Sequence, residues 1–225
     1  MDHNLLDSLR WMIVGAPSFL LAIILHEVAH GYVAYRLGDD TAKRMGRLTL
    51  SPAAHLDLVG TLMFVFSSLS GFGFGWAKPV PINPLNFRHP RRDDIIVSLA
   101  GVTANLGQAA IWALLAWADY CLVWSTSWGV ALGTFCALGV AINLMLMLFN
   151  LLPIPPLDGS HVAVRLLGIE DPYLISRLAP LGFVALILLL RSGAFHQLLV
   201  AVYFPALQAV LPVEVLYSLA RLLTR

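Results

Sequence analysis

His26, Glu27 and His30 stand in the order His-Glu-Val-Ala-His. On a helix, residues four apart share a face, so both imidazoles can reach one cation while Glu27 points beside it toward a bound water. This is the spacing of a zinc-protease signature, and the chemistry it offers is hydrolysis. Zinc lowers the pKa of its water from ~15.7 toward ~7 and polarises a carbonyl, while a neighbouring carboxylate takes the proton and returns it to the leaving amine. No covalent enzyme intermediate is needed. The motif lies in a stretch from Trp11 to Tyr35 that is otherwise almost wholly apolar. Polar side chains that bind metal are costly in hydrocarbon and mark function there. The alternative is a chance match in a helix that buries two histidines.

A catalytic zinc takes three protein ligands and keeps one position open. Of thirteen acidic residues, Glu27 alone lies well inside an apolar stretch, and Asp158 follows closely after another in Asn150-Leu-Leu-Pro153-Ile-Pro155-Pro156-Leu-Asp158-Gly159. Three prolines in four residues cannot continue a regular helix, and Gly159 allows a tight turn beside the carboxylate. Asp158 is thus the candidate third ligand, against the alternative of a plain helix cap. His55, Asp57 and His161 are candidates to orient the imidazoles or to replace a ligand, and none is assigned as one.

Composition defines what must position these groups. The chain is 59% hydrophobic and 12% charged, with a mean hydropathy of +0.79. That excludes an ordinary soluble enzyme. A net charge of +1 gives no reason to expect nucleic acid. Cys121 and Cys136 have no metal-ligand spacing and read as packing residues, not a disulfide. Apolar stretches cover roughly 11–35, 58–76, 95–117, 128–152, 178–190 and 194–211. About 20 helical residues cross the ~30 Å hydrocarbon core, so the first, third and fourth are comfortable spans and the fifth is short. Tryptophans 11, 76, 117, 124 and 128 sit at segment edges, as in an aromatic belt.

The expected fold is an all-α polytopic membrane protein with five to six transmembrane helices. Ser67, Ser68, Ser70, Gly71, Gly73 and Gly75 would make a poor lipid-facing helix, so the second stretch is expected to be re-entrant. With the amino terminus outside, that topology leaves only Arg10 and Arg191 of fourteen basic residues on the outer face. It also brings the His-Glu-x-x-His end of the first stretch to the same side as Asp158. Gly38 to Pro52, with Arg47-Leu-Thr-Leu alternating, is expected to form a short membrane-associated β-strand or hairpin whose edge could pair with an unwound substrate. The extended Lys78-Pro-Val-Pro-Ile-Asn-Pro84 is a rival for that role.

Three motifs in this order resemble the site-2 protease family of intramembrane zinc metalloproteases, particularly its small members without PDZ or CBS domains. They are His26-Glu27-Val28-Ala29-His30, Ala100-Gly101-Val102-Thr103-Ala104-Asn105-Leu106, and Asn150 through Gly159. The resemblance covers about residues 11 to 165. It implies one zinc held by His26, His30 and Asp158, with Glu27 as general base and Asn150 stabilising the oxyanion. It further implies cleavage of transmembrane protein substrates in or near their membrane segments, in a bacterial plasma membrane, and the charge placement puts the site toward the cytoplasm. The expected organisation is a single protease domain over 1–225, with a catalytic core at 11–165 and C-terminal membrane helices at 173–225. One departure is Val102, where relatives usually carry proline; the helix should therefore run straighter. Gly139-Val-Ala-Ile-Asn143 echoes Gly101-Val-Thr-Ala-Asn105 and reads as helix packing, whereas Asn105 stands open between packing and function. A catalytically silent membrane protein that binds partner helices, or a metal-ion transporter, is the alternative. Both are disfavoured because Glu27 is present and the polar groups gather at one place. Oligomeric state and physiological substrate are not legible.

Overall fold

The computed structural model describes residues 5–69 and 75–224. Its elements are α1 (Leu5–Leu37), α2 (Thr41–Arg44), α3 (Pro52–His55), α4 (Leu58–Leu69), α5 (Pro90–Leu122), α6 (Ser127–Asn150), α7 (Asp158–Leu166), α8 (Leu174–Arg191), α9 (Ala194–Leu198), α10 (Phe204–Val210) and α11 (Val213–Thr224). A π-helical turn, Leu199–Tyr203, joins α9 to α10. Ile13–Leu37, Pro90–Leu122, Ser127–Asn150 and Leu174–Arg191 are long and apolar enough to cross a membrane. Leu58–Ser68 and Ala194–Val210 are apolar but shorter. The short fifth stretch of the sequence thus extends to 18 residues.

α5 is the central post, packed on both α6 and α1, which also touch each other. Proline at its first position suits a helix start, and the helix runs unbroken through Val102. The core between α5 and α6 is built of Ala109, Ala116, Ala137, Leu138, Val140 and Leu144. Small side chains let the backbones approach. α11 completes this core with Val215 and Leu219. α8 keeps Leu181, Phe183, Val184, Ile187 and Leu188 exposed, as a helix surrounded by acyl chains would. Cys121 and Cys136 are both free thiols.

α1 ends because Gly38 adopts φ +117°, and a Cβ there would meet the Asn86 carbonyl at 2.9 Å. The next residue, Asp39, is fully buried and accepts from Thr41, from the Asn83 N–H at 2.7 Å and from Asn86 Nδ2 at 2.8 Å. Burial opposes its ionisation, but these hydrogen bonds outweigh it and hold the carboxyl below its usual range.

α4 has 12 residues, about 18 Å of helix, too short for a ~30 Å core. Leu56 pairs with Ala77 in an isolated antiparallel bridge, and the Lys78 N–H donates to the His55 carbonyl at 2.8 Å. A Cβ on Gly60 would strike the Trp76 carbonyl, and one on Gly75 would lie 2.6 Å from Phe64 Cβ. The chain before α4 and the chain at 75–78 therefore lie side by side. Ser70, Gly71 and Gly73, part of the expected re-entrant turn, fall outside the described residues.

The strand expected in Gly38 to Pro52 does not form. That segment makes α2 and a run of turns, and the only β pairing among the described residues is the Leu56–Ala77 bridge. The alternation at Arg47 misled because its guanidinium is buried and donates to the carbonyls of Lys78 and Pro79. Its side chain serves a neighbouring segment and not the face of a sheet.

Candidate metal centre

His26 and His30 face α5, where Gly101 leaves them room. A Cβ at Gly101 would strike His30 Nε2 and lie 2.6 Å from His26 Cε1. Each imidazole has an acceptor at Nδ1. His30 Nδ1 lies 2.7 Å from the Val97 carbonyl, which can only accept, so this nitrogen carries the hydrogen.

His26 Nδ1 lies 2.5 Å from Asn105 Oδ1, and a chain of hydrogen bonds fixes which way that amide points. Asn143 Nδ2 donates to the Gly139 carbonyl at 2.9 Å, which turns Asn143 Oδ1 toward Asn105. Asn105 Nδ2 donates to that oxygen at 2.9 Å, leaving Asn105 Oδ1 to accept from His26. Both imidazoles are thereby held in the tautomer whose Nε2 carries a lone pair.

The two Nε2 atoms are 3.0 Å apart, and each is 3.3 Å from Asp158 Oδ2. These edges match the ~3.3 Å face edge of a tetrahedron with zinc bonds of ~2.0–2.1 Å. Asp158 Oδ2 is buried without a hydrogen-bond partner. Two lone pairs and a carboxylate oxygen meeting in a buried place call for a cation. The residues therefore fit zinc. Among the described residues, His26, His30 and Asp158 form the one such cluster of candidate ligands.

Asp158 reaches the centre because the chain between α6 and α7 is folded back on itself. A Cβ at Gly159 would lie 2.6 Å from both the Leu151 carbonyl carbon and the Leu152 oxygen. Gly182 of α8 packs against the backbone of Pro155, where a Cβ would come within 2.6 Å of its carbonyl carbon. α7 is fastened to α5 by Arg165 Nε, 2.6 Å from Asp94 Oδ2 in a buried ion pair. His161 Nδ1 lies 3.4 Å from Asp94 Oδ1, so this histidine serves the same junction.

Glu27 follows His26 directly, and its Oε2 accepts from the Val80 N–H at 2.7 Å. Asn150 is the last residue of α6, and its Nδ2 donates at 3.1 Å to the Leu146 carbonyl of its own helix. His55 is buried with Nε2 2.8 Å from the Thr49 carbonyl, on the wall of an apolar cavity of about 390 Å³ between α1 and α4. Asp57 accepts from the Gly60 N–H at 2.8 Å at the start of α4. Neither belongs to the ligand cluster.

By spacing alone Asn105 stands open and Asn143 reads as packing, yet the two form the relay that orients His26. The available signal was the Gly-x-x-x-Asn spacing, which sets a glycine and an amide one helical turn apart on a single face. Asn105→Leu keeps the branching and heavy-atom count of the side chain and removes the acceptor. Zinc affinity, measured by chelator competition, should weaken by roughly 10–100-fold, with a smaller loss in Asn143→Leu.

Comparison with known proteins agrees with this chemistry. The family model described as Peptidase family M50 matches residues 119–192, which include Asn150 and Asp158. A Bacillus subtilis protein named "Putative zinc metalloprotease YwhC" is 41% identical over 164 residues, 72% of this chain and 73% of its own length. A Mycolicibacterium smegmatis protein named "Putative zinc metalloprotease Rip2" is 31% identical over 188 residues, 82% of this chain and 69% of its own length. No solved structure gives a significant match.

Proposed function

The chain belongs to peptidase family M50, the zinc-dependent site-2 protease family, and from that premise we propose that it is an intramembrane metalloendopeptidase. It hydrolyses peptide bonds in or near the transmembrane segments of other membrane proteins. The observation that carries this reading is the triangle of His26 Nε2, His30 Nε2 and Asp158 Oδ2, set beside Glu27 on a helix apolar enough to cross a bilayer.

His26, His30 and Asp158 would hold the zinc. When bound, it polarises the scissile carbonyl and acidifies a water. Glu27 takes that water's proton and hands it to the leaving amine. The Asn150 amide, directly before the Leu151 carbonyl that lies beside Gly159, turns from Leu146 to donate to the developing oxyanion. Val97 and Asn105 keep the ligating nitrogens aimed inward.

The return of the chain at 75–78 beside the start of α4 supports a re-entrant segment. With that topology the charge bias favours a site toward the cytoplasm, and the bacterial organisms of the relatives are consistent with a bacterial plasma membrane. The core that α11 shares with α5 and α6 supports a single domain across 1–225. Detergent-purified protein should contain about one zinc per chain by elemental analysis and cut a single-span transmembrane peptide. Cleavage should stop with a chelator and return with zinc. Zinc binding without cleavage of any such peptide would remove the protease reading.

A further inference from the structure

Glu27 is held from above by an extended segment. Lys78-Pro79-Val80-Pro81 crosses α1 as a strap, with the Val80 N–H 2.7 Å from Glu27 Oε2. Proline carries no N–H, so Val80 supplies the one backbone donor of Pro79-Val80-Pro81. Val80 is buried, and a Cβ on Gly31 would lie 2.8 Å from Val80 Cγ1, so this glycine lets the strap rest on α1 one turn beyond Glu27.

The strap is tied at several points. The Lys78 N–H donates to His55, and the Asn83 N–H donates to the buried Asp39 carboxylate. Between those ties the fastening comes from Arg47. Its side chain is buried, and its Nη2 donates to the Lys78 carbonyl at 2.8 Å and the Pro79 carbonyl at 3.2 Å. Burying a guanidinium is costly, and its bonds are made with the two carbonyls immediately preceding Val80.

We propose that Arg47 is a positioning residue for catalysis. By fastening the strap it keeps the Val80 N–H on Oε2 of Glu27, which fixes the glutamate rotamer and leaves Oε1 for the proton of the attacking water. Arg47 touches no reacting atom and acts through Lys78, Pro79 and Val80. The inference rests on the reading of Glu27 as general base. A glutamate released from this contact regains its side-chain torsions, and misplacing a catalytic group by ~1 Å can cost ~100-fold in rate.

The test uses the full chain in detergent with a fluorogenic single-span transmembrane peptide. Arg47→Met keeps the unbranched apolar stem of the side chain and removes the donors. The expected kcat falls roughly 10–100-fold, while KM stays within about twofold and zinc content is unchanged. Arg47→Lys, whose ammonium can still reach one carbonyl, should recover part of the loss. An unchanged kcat in Arg47→Met, or an effect confined to KM, overturns the proposal.

Should Arg47→Met fail to fold, hydrogen exchange in Glu27 variants decides. The Val80 amide should stay protected in wild type and in Glu27→Gln, whose side-chain oxygen still accepts, and should exchange at least about tenfold faster in Glu27→Ala. Equal exchange in all three overturns the contact. Cleavage retained by Glu27→Gln would instead remove the general base itself, a failure separable from the first because the exchange contrast between variants would persist.

Discussion

Glu27→Gln should lose cleavage by roughly 10²–10⁴-fold while keeping about one zinc per chain. The size follows from the role: an amide cannot accept the water's proton at neutral pH, and a positioned proton acceptor contributes this much to rate, about 3–5 kcal/mol of barrier. The retention of zinc follows from the geometry. Glu27 is not among the three converging ligand atoms, which are His26 Nε2, His30 Nε2 and Asp158 Oδ2. Glutamine also preserves an oxygen for the Val80 N–H, so the strap stays in place. The measurement is paired: elemental analysis and turnover of a transmembrane peptide on one preparation. A variant that cut at the wild-type rate would refute the general base, and one that lost zinc would make Glu27 a ligand.

Asp158→Ala should lose zinc, and with it all cleavage. Removing a ligand should cost more than the ~10–100-fold expected for an orienting partner, because two imidazoles then face the cation alone. The fold should survive, since α7 is held to α5 by the buried Asp94–Arg165 pair and not by Asp158. Chelator competition and circular dichroism on the same sample separate the two effects. Zinc bound as tightly as in wild type would return His55 or His161 to consideration as the third ligand. The structure already argues against both: His55 is bonded to Thr49 and His161 faces Asp94.

Much of the centre was legible in the chain because its parts are local. His-Glu-x-x-His needs only helical geometry to bring two imidazoles to one face, and that helix follows from an apolar run of sufficient length. The proline run marked where α6 must stop, so Asp158 stood at a helix end whatever the packing. The short strand was misjudged for the converse reason. Alternation at Arg47-Leu-Thr-Leu is a local pattern, but the fate of Arg47 depends on carbonyls at Lys78 and Pro79, which are remote in sequence. Likewise Asn143 looked like packing because its partner Asn105 sits on another helix.

What the sequence determined by itself is thus the apolar, membrane-compatible setting, the residue types of the candidate metal centre and the points where helices must end, each dictated by hydropathy, residue chemistry or backbone sterics. What only the tertiary structure decided is how those groups are held. The Val97 carbonyl and the Asn105–Asn143 relay choose the imidazole tautomers, Gly101 admits the rings against α5, the Asp94–Arg165 pair seats α7, and the strap meets Glu27. Those are hydrogen bonds and close approaches between segments far apart in the chain, and no local pattern encodes them, because each depends on where another helix lies.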